Sequence, residues 1–587
     1  MNDKYFNSIL IKKSTFKDVR NIEKLIDKQA RKLPWWVSGP PGTGKTRGFI
    51  KEKYQKLIEQ GVNWERIVIL SHTVNAAGEI LDAIKEIPMM KNIPDNALEN
   101  QICTIHSYFN AEGKKRKMYD LKHHKEFCKN NRAMRHWRKK NPKTPWDKHP
   151  LYIFCARIHG RRQTPNDHWR DDQTWYRDRG YDSLKVLNDL RIKYNEYREK
   201  EKVSSYEDMI DNFIYHSKAP TDIDVLIVDE AQDCNKPQVE ALQKAATNVD
   251  EDNFIFVGDR DQSIYDYSGA YNSFFVMLER TRSYVFKKDE EPLDKGHRCG
   301  ETINKICKNI INPQRKRLKL PEKEWTAAKG RIGKHYWIPR LGEHCRDQDA
   351  LLDKIFNTKE NFLFTYRGNP TDGHTKDFLE RHGIDYKVVS ENYDFISRKV
   401  LRCFDSWDNW YKHRVSLKQI KEYWPYLPGK SFKAYGKGNV KEAFKNVIDG
   451  DYNIRQLYEM GLVTEEALEY RPFNLAVKNS DDTKKIRMNV AYIKKILKNY
   501  GIEDKPRVEI DNIHKIKGLT YNNVVVNLSV YQIERNINES ERLAYTAYSR
   551  GETDCWSIGS EMFNKNDRQT SLGGVQHDRG RIFSLYS

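Results

Sequence analysis

Short apolar runs interrupt a strongly polar chain. RIVILSHT (from Arg66), DVLIVDEAQD (from Asp224) and NFIFVGDRDQ (from Asn253) each hold an unbroken hydrophobic stretch that gives way to polar residues. Runs of this length, separated by helical spacing, predict buried parallel strands with chemistry at their carboxyl ends. A second set, NFLFTYR, IDYKVVS and NNVVVNLSV, predicts a second α/β unit. Residues 401–505, lying between the later strands, are rich in Trp, Tyr and Lys and read as helical, without a recognisable motif. No internal repeat or long low-complexity linker breaks this layout.

The most informative stretch is VSGPPGTGKTRGFI, residues 37–50. An apolar segment at Trp35, Trp36 and Val37 leads into Gly39, Pro40, Pro41, Gly42, Thr43, Gly44, Lys45 and Thr46. Glycines there let successive N–H groups converge on phosphate oxygens. Lys45 can reach the outer phosphates, and the Thr46 hydroxyl suits Mg²⁺. Ile50, Tyr54, Leu57 and Ile58 then follow helical spacing up to Gly61, so a helix N-terminus adds a favourable dipole for anions.

Two later strand ends complement this loop. DVLIVDEAQD delivers Asp229, suited to Mg²⁺, and Glu230, suited to orient or deprotonate a water. GDRDQSIYDYSGA places Gln262 to contact a γ-phosphate. Phosphoryl transfer also needs positive charge on the developing anion. Arg298 in LDKGHRCGET and Arg550 in ERLAYTAYSRGE are the candidates.

The bulk composition narrows the partners. A length of 587 residues exceeds what one core supports and implies several domains or subdomains. Lys plus Arg outnumber Asp plus Glu by 103 to 83, which favours a polyanionic partner and salt-sensitive binding. The excess concentrates between Gly113 and Arg170, where GKKRK, NRAMRHWRKKNPK and HGRRQ are interleaved with Trp137, Trp146, Tyr152, Phe154 and Trp169. Such a mixture can contact phosphates and stack on bases, although each aromatic taken singly reads as part of a small core. Cysteines occur without a CxxC pair, so neither a disulfide framework nor a ribbon-type zinc site is expected. Cys128 near His123 and His124 reads as solvated histidines in a basic helix rather than a metal site. With no signal-peptide pattern and no membrane-length apolar run, a cytoplasmic protein of a bacterial or virus-infected cell is expected, with no membrane partner.

In order and spacing these motifs resemble the UvrD/Rep-type superfamily 1 (SF1A) DNA helicases. Gln29 in LIDKQARKL resembles the adenine-reading glutamine of that family, and SGPPGTGKTR its phosphate loop, including Arg47. SHTVNAAGEI and CTIHSYF are similar to the family segments that line a single-strand track; they nominate His72, Thr73, Asn75, Thr104 and His106 for DNA binding. VDEAQD and VGDRDQSIYDYSGA match closely, and Tyr267 is the leading base-stacking candidate. IHKIKGLTYNNVVV, with His514 on the DNA side and Gly518 and Thr520 on the nucleotide side, resembles the segment that links ATP to DNA. ERLAYTAYSRG resembles the segment carrying the arginine finger, Arg550. Departures occur at His297 for an adenine-stacking Tyr, His72 for a Phe, Ser268 for an Arg and Thr520 for a Glu.

The resemblance implies an α/β fold of two RecA-like P-loop NTPase domains, parallel sheets flanked by helices, with two mainly helical inserted subdomains. Residues 1–110 and 205–285 would form motor domain 1A, with 111–204 the basic inserted subdomain 1B. Residues 286–400 and 506–587 would form motor domain 2A, and 401–505 a small 2B-like insertion. It further implies ATP and Mg²⁺ as cofactors, single-stranded and partially duplex DNA as partner, 3′ to 5′ movement, and a role in replication, repair or recombination with protein partners from those processes. A nucleotide-gated remodeller that displaces proteins without unwinding, and an RNA helicase, are the alternatives. A fused nuclease is not expected, since a short tail follows Arg550.

Overall fold

The computed structural model describes residues 32–112, 117–141, 146–265, 269–366, 369–391, 393–394, 396–427, 431, 439–470, 490–503, 505–527 and 537–559. They fall into two compact units. The chain crosses from the first to the second after Ile332, and a later segment containing the helix Ile537–Tyr548 and Ser549 belongs to the first. Both units are α/β, with parallel sheets flanked by helices.

The first unit is built on five strands: β1 (Trp35–Ser38), β2 (Ile67–Ser71), β3 (Ile102–Thr104), β4 (Val225–Val228) and β5 (Phe254–Gly258), in the order β1-β5-β4-β2-β3, all parallel. Every residue of β2, β4 and β5 is buried, as a sheet covered by helices on both faces requires. Alternate side chains feed two separate cores. Val68, Leu70, Leu226, Val228, Phe254 and Phe256 pack on one face. Ile67, Ile69, Val225, Ile227, Ile255 and Val257 pack on the other, with Tyr54 and Leu57 of the helix Lys51–Glu59. β1, β2, β4 and β5 coincide with the apolar runs of the sequence. β3 carries one fully buried residue and has no such signature.

Between β3 and β4 the basic stretch forms helices around its own core. Met134 and Trp137, one turn apart on the helix Arg132–Lys140, face inward. Phe154 and Tyr176 join them, with Trp146, Tyr152 and Trp169 packed partly buried against the same cluster. The buried aromatics are therefore occupied by packing, while Arg132, Arg135, Arg138, Lys139 and Lys140 remain exposed. His124 bonds Tyr152 Oη at 2.7 Å and lies 3.3 Å from Cys128 Sγ; burial pushes its imidazole down to about 4. Among the described residues no group of His, Cys, Asp and Glu stands together as a metal site, and no helix is long and apolar enough to cross a membrane.

In the second unit β6 (His335–Ile338), β7 (Phe362–Tyr366), β8 (Tyr386–Val388), β9 (Tyr393–Asp394), β10 (Val508–Asn512), β11 (Asn523–Asn527) and β12 (Cys555–Ile558) run in the order β9-β8-β10-β7-β11-β12-β6. All neighbours are parallel except β8 and β9. The segment between β9 and β10 is largely helical, including Arg398–Lys412, Leu417–Tyr423 and Val490–Tyr500. Its Trp407, Trp410, Tyr423 and Trp424 share one continuous core with Phe362 and Phe364 of the sheet.

Residues 286–332, which the sequence reading put in the second motor domain, group with the first unit. A buried ionic cluster joins them to it. Arg315 of the helix Glu301–Arg317 bonds Asp261 Oδ2 at 2.8 Å and Glu279 Oε1 at 2.8 Å, and Lys323 bonds Asp261 Oδ2 at 2.9 Å. Arg260 pairs with Asp261 and Glu279, and Lys323 also pairs with Asp259. Three cations thus meet three carboxylates, all buried. Burial alone would raise the Asp261 carboxyl, but Arg260, Lys323 and Arg315 outweigh it and hold it well below the usual carboxylate range.

A buried ion pair is expensive to break because the surviving charge has no solvent. Asp261→Ala is expected to destabilise the first unit by about 3–5 kcal/mol in urea unfolding; a loss under about 1 kcal/mol would show that the cluster is not cohesive. Because the folded carboxyl is depressed, its contribution is complete above about pH 4 and is lost as pH falls through the folded value.

Candidate nucleotide and nucleic-acid site

The carboxyl ends of β1, β4 and β5 lie on one edge of the first sheet and carry most of the candidate chemistry. From β1 the chain turns through Gly39–Gly44 into a wide turn, Lys45–Ile50, where the N–H groups of Gly48 and Phe49 both donate to Gly44 O, at 2.8 and 3.0 Å. Pro40 O accepts the Thr43 hydroxyl at 2.8 Å, which fixes the loop from inside. Gly42 has φ +70°, and a Cβ there would lie 2.4 Å from Cβ of Arg298, so only glycine admits this approach. The His297 N–H donates to Gly42 O at 2.8 Å. Arg298 is thereby held beside the loop, while the His297 side chain is exposed.

Lys45 Nζ donates to Gly39 O at 3.2 Å, and the Thr46 hydroxyl donates to Asp229 Oδ2 at 2.9 Å. Burial pushes the Lys45 ammonium below its ordinary value, opposed by Glu230, Asp259 and Asp229, while Arg298 adds to the lowering. Burial and Glu230 together push the Asp229 carboxyl up to about 6, against Lys45, the Thr46 hydroxyl and the Glu230 N–H. Two hard oxygen donors thus stand together, and one of them is under-compensated for its negative charge. Arg47 points elsewhere: with Lys51 it pairs with Glu86, each at 2.7 Å.

Glu230 adopts φ 51°, a left-handed conformation that a non-glycine residue rarely holds outside functional turns. Its carboxylate accepts from Gln232 Nε2, and Gln232 Oε1 accepts from the Asp259 N–H at 3.0 Å. Gln262 is buried and donates from Nε2 to Asp259 Oδ2 at 2.8 Å. The sequence reading assigned no role to Gln232 or Asp259, although both lie within the motifs it quoted.

The carboxyl ends of β2 and β3 carry a second group. Thr73 caps the helix Val74–Lys85 by accepting from the Ala76 N–H, with Asn75 exposed and His72 half-buried beside it. Thr104 accepts from the Ser107 N–H at 3.2 Å, and His106 lies 3.4 Å from Gln238 Nε2 through its own Nε2. Tyr206, 60% exposed, sets its ring edge-on to His106 at 5.2 Å between centroids. An exposed aromatic directly after the capping serine Ser205, in SYED, is the signal that could have nominated it.

In the second unit the Tyr521 N–H donates to Arg550 O at 2.9 Å, and Arg550 Nη1 donates to Leu519 O at 3.4 Å. The turn that holds Arg550 therefore adjoins the segment of Gly518 and Thr520, both exposed, and half-buried His514. Gln29, Tyr267 and Ser268 lie outside the described residues.

Residues 22–283 match the family model described as UvrD/REP helicase N-terminal domain. A protein named ATP-dependent DNA helicase Rep from Buchnera aphidicola subsp. Schizaphis graminum (strain Sg) is 28% identical over 228 residues, 36% of this chain and 33% of that protein. Its namesake from Buchnera aphidicola subsp. Acyrthosiphon pisum (strain APS) is 29% identical over 185 residues, 31% of this chain and 27% of that protein. The chain thus spans about a third or less of the length of these curated relatives. Over residues 22–283 the chain is therefore similar to the UvrD/REP helicase N-terminal domain family.

Proposed function

We propose that this protein is an ATP-dependent DNA helicase or translocase that moves 3′ to 5′ on single-stranded DNA. The observation that carries the reading is the Thr46 hydroxyl 2.9 Å from Asp229 Oδ2, beside Lys45, in the glycine-rich loop of a UvrD/REP-type domain. Thr46 and Asp229 would hold Mg²⁺; the hydroxyl and the under-compensated carboxylate fit a hard divalent cation. Bound there with ATP, the ion would neutralise charge on the phosphates.

In this reading Lys45 contacts the outer phosphates and Glu230 takes the proton of a water that attacks the γ-phosphorus. The bond to the bridging oxygen breaks, leaving ADP and phosphate. Gln262 faces the γ-phosphate, and Arg298 and Arg550 offset the developing negative charge. Residues 1–110 and 205–285 serve as motor domain 1A, and 286–400 and 506–587 as 2A apart from 286–332 and 537–549, which group with the first unit, with 111–204 and 401–505 as insertions. His72, Thr73, Asn75, Thr104, His106 and His514 line the single-strand track, and the exposed Tyr206 beside His106 joins them. The exposed arginines and lysines of the helix Arg132–Lys140 support a phosphate-backbone contact in the basic insertion. Replication, repair or recombination is the proposed setting.

Single-stranded DNA is expected to stimulate ATP hydrolysis more than RNA does. Lys45→Ala or Glu230→Gln should lower turnover by about 100-fold or more; full activity in either would contradict the assignment. On partial duplexes, strand release should require a 3′ tail. Release from a 5′ tail alone would reverse the polarity, and DNA-stimulated hydrolysis without release would favour the remodeller.

A further inference from the structure

Asp259 follows directly on β5, and none of its surface is exposed. Its Oδ2 accepts two hydrogen bonds from different parts of the chain: Gln262 Nε2 at 2.8 Å and the Tyr545 hydroxyl at 3.0 Å. Oδ1 accepts from the Asp261 N–H at 3.1 Å and pairs with Lys323. The Asp259 N–H is tied to Gln232 at 3.0 Å, and Gln232 in turn donates to Glu230. The carboxylate is therefore fixed on every side and cannot swing away from Gln262 without breaking several buried bonds.

Tyr545 is equally constrained. It lies in the helix Ile537–Tyr548, and none of its surface is exposed. Its ring packs near Trp325 at 6.3 Å between centroids, under Lys323 at 6.0 Å. Arg542, one turn earlier on the same helix, donates from Nε to Ser263 O at 2.6 Å, so the helix grips both ends of the Gln262 turn. Five positions after Tyr545 the chain reaches Arg550. A helix interior packed only for apolar burial has no need of a tyrosine hydroxyl; phenylalanine fills the same space without a polar group to satisfy.

We propose that Asp259 and Tyr545 are positioning residues: Tyr545 orients the Asp259 carboxylate, and Asp259 holds the Gln262 amide in the pose that meets the γ-phosphate. The proposal rests on the reading of Gln262 as the γ-phosphate contact. It makes the helix Ile537–Tyr548 a partner in setting Gln262. The physical gain is precision, because a side-chain amide on flexible torsions loses catalytic advantage with small displacements.

The test is a double-mutant cycle on the full chain, with single-stranded DNA-stimulated ATP hydrolysis as readout. Tyr545→Phe removes one hydroxyl and keeps the ring, so folding is expected to persist. It should lower kcat by about 10-fold with KM for ATP within about two-fold of wild type. In a Gln262→Ala background the same substitution should change kcat by less than about two-fold, because the group it positions is gone. Asp259→Asn, which keeps the size of the side chain and weakens its pull on the amide, should reproduce the kcat loss. Unchanged kcat in Tyr545→Phe, or a loss that multiplies fully with Gln262→Ala, would overturn the positioning role and leave the hydroxyl as ordinary core structure. Gln262→Ala with normal turnover would overturn the reading of Gln262 itself. Absence of hydrolysis in the wild-type protein would overturn that reading together with the proposal.

Discussion

The site depends on charge gathered where water is scarce. At the carboxyl edge of the first sheet one ammonium, Lys45, faces the carboxylates of Asp229, Glu230 and Asp259. Burial resists charge of either sign, and here it lowers Lys45 and raises Asp229 at once. Asp259 has Lys323 as a close counter-ion, whereas Asp229 has a hydroxyl and a backbone N–H. Asp229 is thus the carboxylate that burial and its neighbour Glu230 disfavour most, and a divalent cation at the Thr46–Asp229 pair would relieve both. A phosphate would then have the loop N–H groups, Lys45 and that cation on one side. The strained turn at Glu230 fits the same picture, since a left-handed residue persists only where its surroundings hold it.

The ionic cluster beside this edge ties the Gln262 turn to several helices. Burying three cations with three carboxylates yields little net stability compared with apolar packing, but every member must stay in place or leave an unpaired charge. Arg315 and Lys323 reach into the turn from one segment, and Arg542 and Tyr545 from another far along the sequence. A turn held in this way moves with the helices that hold it. That property would suit the motor proposed above, in which a change at the phosphate has to be felt by distant parts of the polypeptide.

Much of the framework was legible because buried parallel strands leave a distinctive mark. Val225–Val228 and Phe254–Gly258 are wholly apolar apart from glycine, and each ends where the polar motif begins. The common Mg²⁺ role of Thr46 and Asp229 follows from the same logic: β1 and β4 are separated by β5, but all three are parallel and carry their carboxyl ends to one edge of the sheet. The edge and mixed strands were not legible. Val508–Asn512 interleaves Glu, Asp and Asn with its apolar residues, and His335–Ile338 is mostly half-buried, so neither has an unbroken hydrophobic run. The aromatics of the basic insertion showed the opposite ambiguity: Trp137 and Phe154 lie in a core that composition alone cannot distinguish from a stacking surface. Long-range partners such as Tyr545 and Asp259, 286 positions apart, leave no spacing signal at all.

Thr46 and Asp229 are proposed to form a cation site completed by nucleotide. Mn²⁺ binding, followed by electron paramagnetic resonance with and without a slowly hydrolysed ATP analogue, tests it most directly. One tight Mn²⁺ site is expected to appear with the nucleotide and to be lost in Asp229→Asn. Equal Mn²⁺ binding in the wild-type and Asp229→Asn proteins would contradict it.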